Sequence, residues 1–346
     1  MNSYKVFSAK LLIVLLVMTF IAGHVNAVEP TRPEHFAIRE LLKTNSFEKA
    51  LKDSKALSEK GDPYGHYIAG LLLMGNFGAQ ADWPAAVVYM EKAANSGCDQ
   101  AAGVLGAILC DGPKAILDYK KAVKYLEMAA AKNNPVGFDM LGRMHYDGIG
   151  LPKNAKKARE YFSIASDLGY PGSQERLGLM MFDGDGGRKD QKMAMTWLNR
   201  AAAAGNAPAF HLLGYISEKG LYGRKDLVEA AKNYILATPL EKSVAALENL
   251  KRSLSVAQYE EAMRRAKAWK VSEPWKASKS AAVQASRPAA QPTTAAPAQK
   301  SSDGNVPASQ ASGELDSENI DSWPQPEAIM STQQIEQFIL KEYCAD

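Results

Sequence analysis

The sequence predicts an all-α protein: a right-handed α/α superhelix (solenoid) of about five 36-residue helix-turn-helix repeats with capping helices. Two observations predict it. Glycines at 70, 106, 142, 178 and 214, all but the first preceded by leucine, return at a step of 36 residues. Within each unit, apolar residues such as Ala101, Leu105 and Leu109 recur at helical spacing, and no strand alternation occurs.

In chain order, Lys5 and Lys10 precede a short apolar run from Leu11 to Ala22, and small residues follow up to Ala27. That is the pattern of a cleavable signal peptide over residues 1–27, with the cut expected after Ala27. The run is shorter than the roughly 20 residues that cross a bilayer. The expected location is periplasmic or secreted, with no integral membrane span after cleavage. Loss of the two leader lysines brings the formal charge of +3 close to neutral, which leaves no electrostatic footprint for nucleic acid. Cys98, Cys110 and Cys344 are too few and too badly spaced for a disulfide framework. Cys98 and Cys110 would lie about 18 Å apart on one helix, beyond bridging distance.

Residues 28–271 form the expected solenoid. Further columns share the period: Gly61, Gly97, Asn133, Gly169 and Gly205; Ala50, Ala86, Ala122, Ala158, Ala194 and Ala230; Tyr89, Tyr125, Tyr161 and Trp197, with Tyr234 one place late. A glycine inside a helix costs about 1 kcal/mol against alanine. Its fivefold return at Gly70, Gly106, Gly142, Gly178 and Gly214 predicts close approach of the neighbouring helix. Gly112, Gly148, Gly184 and Gly220 are predicted to end the first helix of their units in left-handed backbone. The stretch "YDGIG" is then a turn between paired helices. A phosphate loop would follow a strand. The ends of a repeat stack need caps. A helix or two is expected over residues 34–60, and two more in "EKSVAALENLKRSL" and "SVAQYEEAMRRAKAWK". The last of these opens on Ser255 and Gln258, spaced as a capping box, and Trp269 is expected to close the last repeat.

The segments "GSQERLGLMMFDGDGGRKDQKMAMTWLNRAAAAG", "FDMLGRMHYDGIGLPKNAKKAREYFSIASDLG" and "AFHLLGYISEKGLYGRKDLVEAAKNYILA" resemble the Sel1-like repeat family, relatives of the tetratricopeptide repeats. The resemblance covers roughly residues 46–240. Unit one departs from it with Ala69 in place of leucine, and unit two lacks the long glycine turn. The family implies an exported bacterial module that binds another protein or peptide in the envelope of a Gram-negative cell. It would act as a scaffold or adaptor, neutralise a toxin, or contact a host protein. A hydrolase acting on β-lactam or cell-wall material is the alternative, known for a cysteine-rich branch whose paired cysteines this chain lacks. By analogy with tetratricopeptide repeats, the partner would meet the concave face of the first helices, at Asp139, Arg143, Tyr146, Glu175, His211, Tyr215 and Glu218. Asp147 and Asp183 fall in the same set of columns.

Nothing in the sequence points to a catalytic residue, a metal ligand set or a cofactor. His66 and His211 lie on first helices, His211 with no carboxylate three or four residues away to orient it, and His145 occupies an apolar column. Ser46 and Lys49 match Ser-x-x-Lys, but the companion motifs of serine acyltransferases are absent. Residues 272–326, rich in Ala, Ser and Pro, read as a disordered linker. Residues 327–346 read as a short amphipathic helix with Ile335, Phe338, Ile339 and Tyr343 on one face, suited to docking in a groove.

Overall fold

The helices start on the period. The computed structural model describes residues 32–75, 81–238 and 240–270. Among them the regular structure is fourteen α-helices and one 3-10 turn at Lys114–Ile116. A front pair, α1 (Pro33–Lys43) and α2 (Phe47–Glu59), precedes the repeats. Five pairs follow: α3 (Pro63–Leu73) with α4 (Trp83–Asn95), α5 (Asp99–Asp111) with α6 (Tyr119–Ala131), α7 (Pro135–Asp147) with α8 (Ala155–Asp167), α9 (Pro171–Asp183) with α10 (Gln191–Ala203), and α11 (Ala207–Lys219) with α12 (Leu227–Leu236). A closing pair is α13 (Glu241–Lys251) and α14 (Val256–Ala268). The second helix of the front pair is already in register, since Phe47 stands 36 residues before Trp83. The fold is an all-helical solenoid of about five repeats with a helix pair at each end of the described residues.

Local chemistry sets these boundaries. Every second helix of the five repeats opens on a side-chain cap: Asp82, Asp118, Asn154, Asp190 and Asp226 each accept the N–H three residues on. Each such cap satisfies a donor that has no intrahelical partner. This column shares the 36-residue step and was open to a sequence reading that looked for Asp or Asn ahead of an apolar run. Proline at the first position pre-sets φ for α3, α7 and α9. Between pairs the chain reverses through left-handed backbone at Gly61, Gly97, Asn133, Gly169 and Gly205. Ser255 and Gln258 form the capping box of α14.

The packing glycines sit under one side chain each. A Cβ built on Gly106 would lie 2.4 Å from Leu126 Cγ; on Gly142, 2.8 Å from Phe162 Cε1; on Gly178, 2.8 Å from Leu198 Cγ; on Gly214, 2.7 Å from Tyr234 Cε1. Gly70 lies under Met90 in the same way, at 3.0 Å. The missing side chain lets the second helix press its knob onto the backbone of the first. Tyr234 therefore belongs to the column Met90, Leu126, Phe162 and Leu198, and is not a displaced member of the Tyr89 column. The alanine column from Ala50 to Ala230 is wholly buried beside these knobs.

Gly148, Gly184 and Gly220 close their helices in left-handed backbone, but Gly112 does not. Gly112 is extended at φ −74°, ψ −170°. The next residue is Pro113, whose ring disfavours helical backbone before it, and the chain continues through the 3-10 turn. At the far end, Trp269 meets Phe210 of α11 edge-on, with ring centroids 5.1 Å apart, so it covers the fifth repeat directly. The leader, the linker and the tail face of Ile335, Phe338, Ile339 and Tyr343 lie outside the described residues.

Candidate functional site

The first helices of neighbouring pairs stand side by side, and most polar residues between them are used to join them. Asn134, capping α7, donates to Asp99 of α5 at 3.0 Å. Arg143 of α7 pairs with Asp111 of α5 at 2.6 Å. Asp139 accepts both Ser173 Oγ at 2.6 Å and Arg176 Nη1 at 2.8 Å from α9. Tyr146 OH donates to Asp185, just beyond α9, at 3.1 Å. His211 of α11 is bonded to Ser243 of α13 at 2.9 Å. At the front of the stack, Asp62 caps α3, and burial alone would raise its pKa. A hydrogen bond from His35 at 3.0 Å and two backbone N–H groups outweigh burial and hold it below the ordinary value.

These ties redraw the expected partner surface. Asp139 is 3% exposed and so is a buried strut rather than an open carboxylate. Its two charge-assisted bonds satisfy it where an unpaired charge would be costly. Arg143, Tyr146, His211 and Glu218 are half-buried and engaged within the chain. Glu218 accepts from Tyr234 OH at 2.8 Å and from Lys219; burial raises its pKa, but the two hydrogen bonds prevail and lower it.

Four residues of the set remain available. Glu175 is half-buried on α9 and makes no hydrogen bond or ion pair among the described residues. Burial pushes its carboxyl up despite Arg176 and Lys242 nearby. Asp147 and Asp183 are exposed at the ends of α7 and α9. Tyr215 is 45% exposed on α11, with Lys219 Nζ 5.9 Å from its ring centroid on one face. Tyr215 also edges an apolar pocket of about 140 Å³, with Leu179 and Phe182 on the α9 side and Leu212 and Leu221 on the α11 side. The spacing alone missed Leu179, Leu212 and Leu221, because leucine at these places reads as core.

The groups that could carry chemistry are occupied or shielded. His145 is buried, hydrogen-bonded through Nδ1 to Pro152 O at 3.1 Å and stacked on Tyr161. Burial lowers its pKa, as it does for His66 and His211. Ser46 Oγ lies 3.2 Å from Thr44 Oγ1, and Lys49 is exposed. Cys98 and Cys110 are buried free thiols, each pushed up to about 11 by burial. Among the described residues no cluster of His, Cys, Asp or Glu could hold a metal ion, and no helix is long and apolar enough to cross a membrane.

The family model of the Sel1 repeat matches residues 63–98, 100–134, 140–170, 171–206 and 207–238, the five pairs from α3 to α12. The chain belongs to the Sel1 repeat family. No curated protein matches it. Among solved structures it is similar to a Sel1 repeat protein from Oxalobacter formigenes, with 21% identity and a TM-score of 0.56, over 70% of this chain and 100% of that one. It is also similar to a protective antigen present in uropathogenic Escherichia coli strains that displays an SLR fold, with 22% identity and a TM-score of 0.42. That match covers 63% of this chain, which spans 55% of the antigen's length. An immunity protein from Pseudomonas aeruginosa is similar at 18% identity and a TM-score of 0.41, over 68% and 87% of the two chains. Sel1 repeats are protein–protein interaction modules and in general non-enzymatic scaffolds.

Proposed function

We propose that this Sel1 repeat protein is an exported, non-enzymatic scaffold that binds a polypeptide in the bacterial cell envelope, on the first-helix face around Tyr215. One observation carries the choice of place. Polar side chains join α5 to α7, α7 to α9 and α11 to α13, whereas no side-chain hydrogen bond or ion pair joins α3 to α5 or α9 to α11 among the described residues, and of these two it is α9–α11 that carries an exposed tyrosine at a pocket. The gap holds the apolar pocket and its exposed tyrosine. An exposed aromatic beside a pocket is the kind of anchor that dominates interfaces.

The test is a photoreactive phenylalanine analogue at Tyr215 or, as control, at Val88, which is 50% exposed on the second-helix side of the stack. Adducts with an envelope protein at Tyr215 alone support the proposal; equal adducts at both sites, or none at Tyr215, refute it. Export is tested separately by the mass of the protein's N terminus in the periplasmic fraction. A chain that keeps residues 1–27 and stays in the cytosol ends that part of the proposal.

A further inference from the structure

Glu175, Leu179 and Asp183 stand at successive fourth positions of α9, and so share one stripe of that helix. Facing them on α11 are Leu212 and Tyr215, which line the same pocket as Leu179 and Asp183. The groove between the two helices thus reads, along its length, a carboxylate, then an apolar pocket with a second carboxylate, Asp183, on its wall. Neither carboxylate has a hydrogen-bond or ion-pair partner among the described residues. Arg176, next to Glu175, is turned to Asp139 at 2.8 Å. Lys242 of α13 acts on Glu175 through its field only. Asp147, at the end of α7, adds a second exposed carboxylate on the Asp183 side.

We propose that this groove takes an extended segment of a partner polypeptide carrying one medium-sized apolar side chain, with a basic residue two places before it and another two places after it. The inference rests on the binding face assigned above and adds the chemistry of the bound segment. Spacing supports it. Four residues of helix rise about 6 Å, so each carboxylate lies about 6 Å along the axis from Leu179 in the pocket wall. In an extended chain, side chains on one face recur at about 6.6 Å. The two ladders match over three positions. Size supports it as well: the pocket of about 140 Å³ suits one leucine- or methionine-like side chain. Charge supports it too, because a basic residue at either end would give an unpaired carboxylate its partner.

The probes are fluorescein-labelled peptides of alternating serine, measured by anisotropy against the mature full chain. In the first peptide a central leucine has lysines two residues away on both sides; in the second the leucine is serine; in the third the lysines are glutamates; in the fourth the lysines stand four residues from the leucine. The first should bind tightest. Losing the leucine should weaken binding roughly tenfold or more. Against a Glu175→Gln/Asp183→Asn protein the first peptide should lose about fivefold, and raised salt should remove the same advantage. That variant must melt like wild type, since neither side chain is tied to the fold. A first peptide that binds wild type and the neutralised protein alike overturns the charge assignment, and tighter binding of the fourth peptide overturns the extended register. No binding of the first peptide overturns the proposal as a whole. In that event, adducts at Tyr215 would still uphold the binding face, and their absence would remove both.

Discussion

Replacing Gly106 with alanine should destabilise the stack by about 2 kcal/mol, although alanine is the better helix former. The new Cβ would lie 2.4 Å and 2.5 Å from Cγ and Cδ2 of Leu126, and 3.2 Å from the carbonyl oxygen of Ala122. Leu126 is wholly buried, and Cγ is too near its own backbone to swing clear. Overpacking of this kind costs about 1–3 kcal/mol, and contacts this short put it at the upper end. Helix propensity returns about 1 kcal/mol. For a domain of this size the difference lowers Tm by about 4–8 °C. Gly70 provides the contrast. The three atoms nearest its Cβ would all belong to Met90, at 3.0–3.3 Å, and methionine adapts readily. Gly70→Ala should therefore leave Tm nearly unchanged. Thermal melts of both variants, and of Gly106→Ala made on a Leu126→Ala background, check the reasoning. Without the leucine knob, alanine at position 106 should be neutral or stabilising. An equal loss in both backgrounds would refute the close-approach explanation.

Three further outcomes follow from the ties and caps. Asp139→Ala removes two charge-assisted bonds and strands the fully buried Ser173 hydroxyl; chemical denaturation should show a loss of about 2–4 kcal/mol. Asp118→Ala removes the N-cap of α6 and should cost about 1 kcal/mol, visible as faster amide exchange in the first turn of that helix. Stability should also fall on acidification from pH 7.5 to 5.5. Burial lowers His66, His145 and His211, so the unfolded chain takes up their protons first. Their contribution is complete above the ordinary histidine value of about 6.5 and is lost as pH falls below it. Glu175, whose carboxyl is raised, pulls the other way only as pH nears the carboxylate range. His145→Gln should flatten the Tm–pH slope between these values, and an unchanged slope would count against burial as its cause.

The fold was legible because each repeat states the same structural demand again. One glycine is a weak sign, but five under five knobs at one step leave little freedom. The two local misreadings had signals that a column view passed over. Pro113 directly after Gly112 already ruled against left-handed helix-end backbone of the usual kind. Tyr234, one place late for the Tyr89 column, was in step with Met90 and Phe162. The surface was far less legible. A polar residue on a first helix can face solvent or its neighbour, and composition does not separate the two. The separations do. Asp139 and Arg176 are 37 residues apart, Asp111 and Arg143 are 32, and Tyr146 and Asp185 are 39. Complementary polar residues about one period apart are the mark of an inter-repeat tie, and a search within single repeats cannot find it.

That distinction also locates the candidate site. In a repeat stack each unit touches only its neighbours, so every first-helix interface must either be closed by its own side chains or present them outward. At the position after the packing glycine, Leu71 is buried and Ala107 half-buried, while Arg143 is paired backward to Asp111. Only with Leu179 and Tyr215 does that column bring large apolar side chains to the surface of two adjacent helices. It does so across the one interface from α5 to α13 that lacks a polar tie among the described residues. A fixed polar pair there would have filled the groove and left a partner nothing to displace but solvated charge. Its absence leaves apolar surface whose burial can drive binding, flanked by carboxylates that can select what is buried.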